Sequence, residues 1–263
     1  MAFQFFKNFF NTQNVKVCIW CCRGKPYVTF DKLAHTIPQS LGGINICENV
    51  CDSCNIYFGS KTNLGPSIEI AFKEVLNVSK LILLKLTDSS YRFKSEYFKI
   101  DSNLNIHPKL KYSQLPLFQE KLGRQIRQGF FKVFLEERER QRKDAKDKRY
   151  NFIREFSRFD LGDIPVFWFK PKFQAIIFSQ PDTMAPTIRF TKHSNKMDRK
   201  YKFFEYQIAG HYFALPTSQL SQLQIEKYKN HIKQIDHPFG TELIEIKKFE
   251  DIDFSFSFFN DSP

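Results

Sequence analysis

All six cysteines of this 263-residue chain fall between positions 18 and 54. Four of them make two C-x-x-C pairs, "CIWC" at 18–21 and "CDSC" at 51–54, with 29 residues between Cys21 and Cys51. A secreted scaffold cross-linked by disulfides spreads its cysteines along the chain. Two C-x-x-C turns brought together instead offer four thiolates to one tetrahedral ion. The spacing predicts a structural Zn²⁺ on Cys18, Cys21, Cys51 and Cys54. Cys22 and Cys47 are spares, either of which could displace a predicted ligand. With four sulfurs on the ion, no position is left for water or substrate. Its part is to staple a segment too short and too polar to bury a core of its own.

Charge narrows the partners. Lys and Arg number 40 against 28 Asp and Glu, a net charge of +12 with a pI near 9.3. Such an excess favours a polyanion, nucleic acid first, although an anionic membrane surface also fits. No apolar run approaches the roughly 20 residues of a membrane span; among the longest is "LILL" at 81–84. The opening "MAFQFFKNFFNTQ" has no basic start, no continuous apolar stretch and no small-residue cleavage site, so it does not read as a signal peptide. The expectation is a cytoplasmic protein with no membrane partner.

The chain reads as an α+β protein in three parts: 1–62 with the cysteines, a helical and basic 63–160, and a β-rich 161–263. "GPSIEIAFKEVL" opens with Pro66, and Ile68, Phe72 and Leu76 recur every four residues. Over 121–143, Leu122, Ile126, Phe130 and Phe134 do the same, and the tail "EERERQRK" reads as a solvated end. "RYNFIREFSRFD" continues as a short helix. Residues 121–160 carry 13 Lys and Arg against 7 Asp and Glu, half of the chain's excess. Arg124, Arg127 and Lys132, followed by Arg149, Arg154 and Arg158, could hold duplex phosphates, or they could line a solvated face laced with i,i+4 pairs. Beyond 160, "PVFWFK", "QAIIFS", "TIRFT", "YKFFEYQIAGHYFAL" and "TELIEIKKFEDIDFSFSFF" predict a small antiparallel sheet, with one helix in "TSQLSQLQIEKYKNHIKQI".

Between the cysteine pairs stand "AHTIPQSLGG" at 34–43 and Asn49, and Asn55 follows Cys54. The order cysteine pair, His-x-x-Pro, Gly-Gly, Asn, cysteine pair, Asn resembles the HNH endonucleases of the ββα-metal superfamily over about residues 17–60. The stretches "PSIE…FKE" and "RQGFFKVFLEE…FIREFSRF" look like the longer tail of a bacterial subgroup. The resemblance implies two strands and a helix clamping a divalent metal, Mg²⁺ or Mn²⁺, beside a histidine. By position, His35 is the general base, Asn49 fixes the histidine loop through side-chain hydrogen bonds, and Asn55 gives its amide oxygen to the catalytic metal. Gly42 and Gly43 let the backbone turn tightly.

One residue departs from the pattern. The position before the histidine is usually Asp, Glu or His, a second metal ligand, and here it is Ala34. Three readings stay open. Asn55, water and DNA oxygens alone hold the metal; a carboxylate from Asp31, Glu48 or Glu69 steps in; or the site is weakened. The function implied is metal-dependent hydrolysis of double-stranded DNA, as in bacterial restriction or antiviral defence. The alternative is an inactive zinc-knuckle protein that binds nucleic acid or serves as a scaffold. The C-terminal region leaves room for a homodimer contact or a partner protein.

Overall fold

The computed structural model describes residues 16–60, 67–85, 94–101, 106–113, 117–171, 186–235, 237, 240 and 242–254. Residues 16–60 hold little regular structure. Isolated antiparallel bridges join Val17 to Gly24 and His35 to Ile46. A short 3₁₀ turn follows at Gln39–Leu41, and then helix α1, Asp52–Gly59. The glycine pair is needed where it stands. Gly42 ends the 3₁₀ turn at a φ of +93°, and a Cβ on Gly43 would lie 2.0 Å from the Ile37 carbonyl oxygen.

Helix α2, Ile68–Lys85, takes up the four-residue apolar repeat; Pro66 lies outside the described residues. A two-stranded pair, β1 (Phe98–Ile100) and β2 (Ile106–Pro108), and the short α3 (Leu110–Ser113) lead to α4, Phe118–Arg142. Leu122, Ile126, Phe130 and Phe134 are all fully buried, as their spacing predicts. Helices α2 and α4 approach closely at Gly129, where a Cβ would sit 2.7 Å from Phe72 Cδ2. The expected solvated end is a correction: Glu136, Glu137, Arg138 and Glu139 are buried. Helix α5, Asn151–Phe159, follows.

The C-terminal part is the antiparallel sheet expected, in order β4-β5-β3-β6, with β3 at Phe167–Lys170, β4 at Phe203–Ile208, β5 at His211–Pro216 and β6 at Glu242–Glu245. Helix α7, Gln222–Gln234, begins with a capping box between Ser221 and Gln224 and stacks Tyr228 on Phe203 at 3.9 Å. Two expected strands differ. "TIRFT" is irregular and ends as the Thr191 cap of an unforeseen helix, α6, Lys192–Tyr201. Phe249–Asp251, within the last run, forms a 3₁₀ turn. "QAIIFS" and residues 255–263 lie outside the described residues. Apolar residues from Cys18 to Phe254 form one buried cluster, in which Phe130 meets Phe213 at 4.3 Å and Phe134 meets Phe204 at 5.1 Å. No helix among the described residues is long and apolar enough to cross a membrane.

Candidate functional site

The two C-x-x-C turns meet. One sulfur from each of Cys18, Cys21, Cys51 and Cys54 lies within 4.8 Å of all the others. Cys21 Sγ and Cys51 Sγ are 3.7 Å apart, close to the ~3.8 Å edge of a tetrahedron whose ligands sit ~2.3 Å from zinc. The sulfurs are already in a polar cradle. The backbone N–H groups of Trp20 and Cys51 each donate to Cys18 Sγ at 3.4 Å, and Arg158 Nε donates to Cys54 Sγ at 3.2 Å. The Cys54 thiol first, and these amides after it, hold Cys18 below the usual thiol range. Donors aimed at Cys18 favour its thiolate, the form a metal needs, whereas burial pushes the Cys21 thiol up to about 11 and the bond to Cys18 pushes the Cys54 thiol up, protons that a bound cation would displace. The residues present therefore fit a four-sulfur zinc ion, with Cys22 exposed and Cys47 outside the cluster.

The segment carrying His35 borders a cavity of about 430 Å³. Its polar lining includes His35, Ser40, Asn55 and Glu69. Asn55 is in α1, and its Nδ2 donates to the Leu33 carbonyl at 3.2 Å, which leaves the amide oxygen as the free acceptor. Glu69 comes from the first turn of α2 and pairs through Oε1 with Lys132 Nζ at 3.1 Å. His35 Nδ1 is buried and has no hydrogen-bond partner among the described residues. Asp31, Glu48 and Ala34 do not line this cavity, and Ala34 is 1% exposed. Asp52, the first residue of α1, pins the loop before the histidine, accepting from Thr29 Oγ1 and from the backbone N–H groups of Asp31 (3.1 Å) and Lys32 (2.8 Å).

Helix α4 holds this segment from below. Trp20 Nε1 donates to Glu136 at 3.0 Å, Thr36 Oγ1 to Glu137 at 2.6 Å and Asn49 Nδ2 to Glu139 at 2.6 Å. Lys132 Nζ donates to the His35 carbonyl at 2.9 Å and to Glu136 at 2.8 Å. Burial pushes the Glu136 carboxyl up to about 7, against the pull of the Lys132 ammonium. The Asn49 side chain is thus tied to α4. The side-chain hydrogen bonds from α4 to the histidine segment come from Lys132 and Glu137, which the sequence did not single out for that role. Their signal, the "EER" of 136–138, looks like any solvated run until its distant partners are known.

The basic stretch is corrected in the same way. Lys132 is 2% exposed and Arg127 5%, the latter paired with Asp163. Arg124 is bound by Asp160 and Asp163. Arg154 donates to the Ile19 carbonyl at 2.6 Å, and Arg158 reaches Cys54. Lys132, Arg127 and Arg154 brace the protein's interior, and Arg124 is held in surface ion pairs with Asp160 and Asp163.

Residues 18–64 match the family model described as HNH endonuclease. This N-terminal segment is an HNH domain. A nuclease activity and a nucleic-acid substrate are what that family suggests, and the HNH match spans both cysteine pairs, His35, Asn49 and Asn55. No curated protein and no solved structure matches the chain.

Proposed function

We propose that this protein is a metal-dependent HNH endonuclease that hydrolyses phosphodiester bonds of double-stranded DNA. The observation that carries the reading is the meeting of His35, Asn55 and Glu69 at one cavity beside a four-cysteine cluster. His35 takes a proton from a water molecule; that oxygen bonds to phosphorus as the bond to the leaving oxygen breaks. Asn55, through Oδ1, and Glu69, through its carboxylate, would hold Mg²⁺ or Mn²⁺. When bound, such an ion stabilises charge on the phosphate and the leaving oxygen. Glu69 fills the post that Ala34 leaves vacant, and its contact with Lys132 Nζ at 3.1 Å holds the carboxylate in place. Lys132, on the His35 carbonyl, fixes the backbone from which the base projects. The net charge of +12 supplies the general attraction to DNA.

Plasmid cleavage in Mg²⁺ or Mn²⁺ tests this. His35→Ala should lose roughly 10²–10⁴-fold in rate and keep its DNA affinity; cleavage at the wild-type rate would remove His35 from the mechanism. Glu69→Ala should raise the metal concentration needed for half-maximal cleavage. An unchanged metal requirement would assign the ion to Asn55, water and DNA oxygens alone.

A further inference from the structure

Far along the chain from the HNH domain, three more ligand-type side chains converge. His193 stands in the first turn of α6, Glu205 in β4, and His237 in the segment after α7. One donor atom from each lies within 4.8 Å of the other two. Both imidazoles present Nε2 to the same carboxylate oxygen, Glu205 Oε2, at 2.7 Å from His193 and 3.4 Å from His237. We propose that His193, Glu205 and His237 form a second metal site, which binds Zn²⁺ through two imidazole nitrogens and one carboxylate oxygen.

The chemistry of the donor set supports this. Two histidines and a carboxylate suit zinc, and three protein ligands leave the fourth tetrahedral position to water. Ligands ~2.0–2.1 Å from a tetrahedral ion lie about 3.3 Å apart. The His237 contact already has that length. The His193 contact must open by about 0.6 Å, and a side chain 45% exposed can move that far. The supports expected around a metal ligand are also in place. Tyr228 donates its hydroxyl to Glu205 Oε1 at 2.7 Å, orienting the carboxylate so that Oε2 faces the histidines. The His237 ring stacks on Phe169 at 4.6 Å, and Ser194 Oγ donates to the Glu205 carbonyl at 2.8 Å, joining α6 to β4 beside the site.

The competing account is a buried carboxylate neutralised by one protonated histidine. That account needs one imidazole, and here a second, 2% exposed, is aimed at the same oxygen. The proposal stands independently of the nuclease reading.

The test uses the full chain, without a histidine tag, saturated with Zn²⁺ and freed of excess. Elemental analysis should give two zinc ions per chain, and one in His193→Ala. His193→Gln serves as a second variant, because the side chain is largely exposed. Zinc-loaded wild type, with the cysteines occupied, should then exchange one equivalent of Co²⁺ into the second site. The product should show visible d–d absorption without a thiolate-to-cobalt charge-transfer band, and the His193 variants should lose it. One zinc per chain in the wild type, or two retained in both variants, would overturn the proposal. So would cobalt absorption that appears only with the thiolate band.

Discussion

Helix α4 serves two regions of the molecule by different chemistry. Toward the HNH domain it turns Lys132 and the carboxylates of Glu136, Glu137 and Glu139, which meet Trp20, Thr36, Asn49 and the His35 backbone. Toward the sheet it turns Phe130 and Phe134, which meet Phe213 and Phe204. Apolar burial is strong and non-directional; a buried hydrogen bond to a charged group fixes an angle and a distance. The sheet, with its own aromatic packing, needs only to be covered. Among its described residues the HNH domain has two isolated bridges, one 3₁₀ turn and one short helix, and it must hold a histidine and an amide at one cavity. It uses a metal-type cluster for cohesion and directional bonds for position.

The largest expected effect is on cohesion. Cys51→Ser should lose zinc and, with it, amide protection across residues 16–60, while protection within β4 and β5 persists. If both regions lose protection together, the contrast between them fails.

Next comes the difference between position and cover. Glu136→Ala leaves the Lys132 ammonium with one carboxylate fewer and Trp20 Nε1 without its acceptor, at a cost of about 3–5 kcal/mol. Phe213→Ala should cost a similar ~3–5 kcal/mol through the cavity it leaves. Chemical denaturation measures both. Only Glu136→Ala should also slow cleavage at a temperature where both variants are fully folded. Equal cleavage by the two would show that the buried carboxylates do not set the site's geometry.

The effect smallest per step of the variable is a slope with pH. His211, in β5, bonds to Ser79 through Nε2 at 2.7 Å, and burial holds its imidazole down at about 3. The unfolded chain takes up that proton below its ordinary value of ~6.5, and the folded chain does not. The stability that neutral His211 confers is therefore complete above about pH 6.5. It is lost as pH falls toward 3, at about 1.4 kcal/mol per unit for one proton. Thermal melts across that range should show a shallower slope for His211→Gln than for the wild type.

What could be read in advance follows the same division. The cysteine pairs were legible because a thiolate turn is local, and α2, α4 and α7 because apolar spacing reports a buried face. The small antiparallel sheet was legible from runs such as "YKFFEYQIAGHYFAL", rich in aromatic and β-branched residues, although the turn that splits this run into β4 and β5 was not foreseen. The carboxylates of α4 were not, because periodicity says where apolar residues face and nothing about what meets a charge. Their partners stand 90 to 116 residues earlier in the chain. "TIRFT" has strand-forming residues, yet Thr191 caps a helix instead, its side chain accepting from the Ser194 amide. Glu69 was named as one of three carboxylates that could serve the cavity; only the crossing of α2 over α4 brings it there.

The crowding of both functions onto α4 has a genetic consequence. Phe134 and Glu136 are two residues apart, and each residue of an α-helix turns the next by about 100°. Inserting or deleting a single codon between them would leave every side chain present. It would still rotate the carboxylates away from Trp20, Thr36 and Asn49 while the phenyl rings kept their places. Length changes at this point of the gene should therefore be far rarer than substitutions, and a functional revertant should restore the original residue count instead of the original residue.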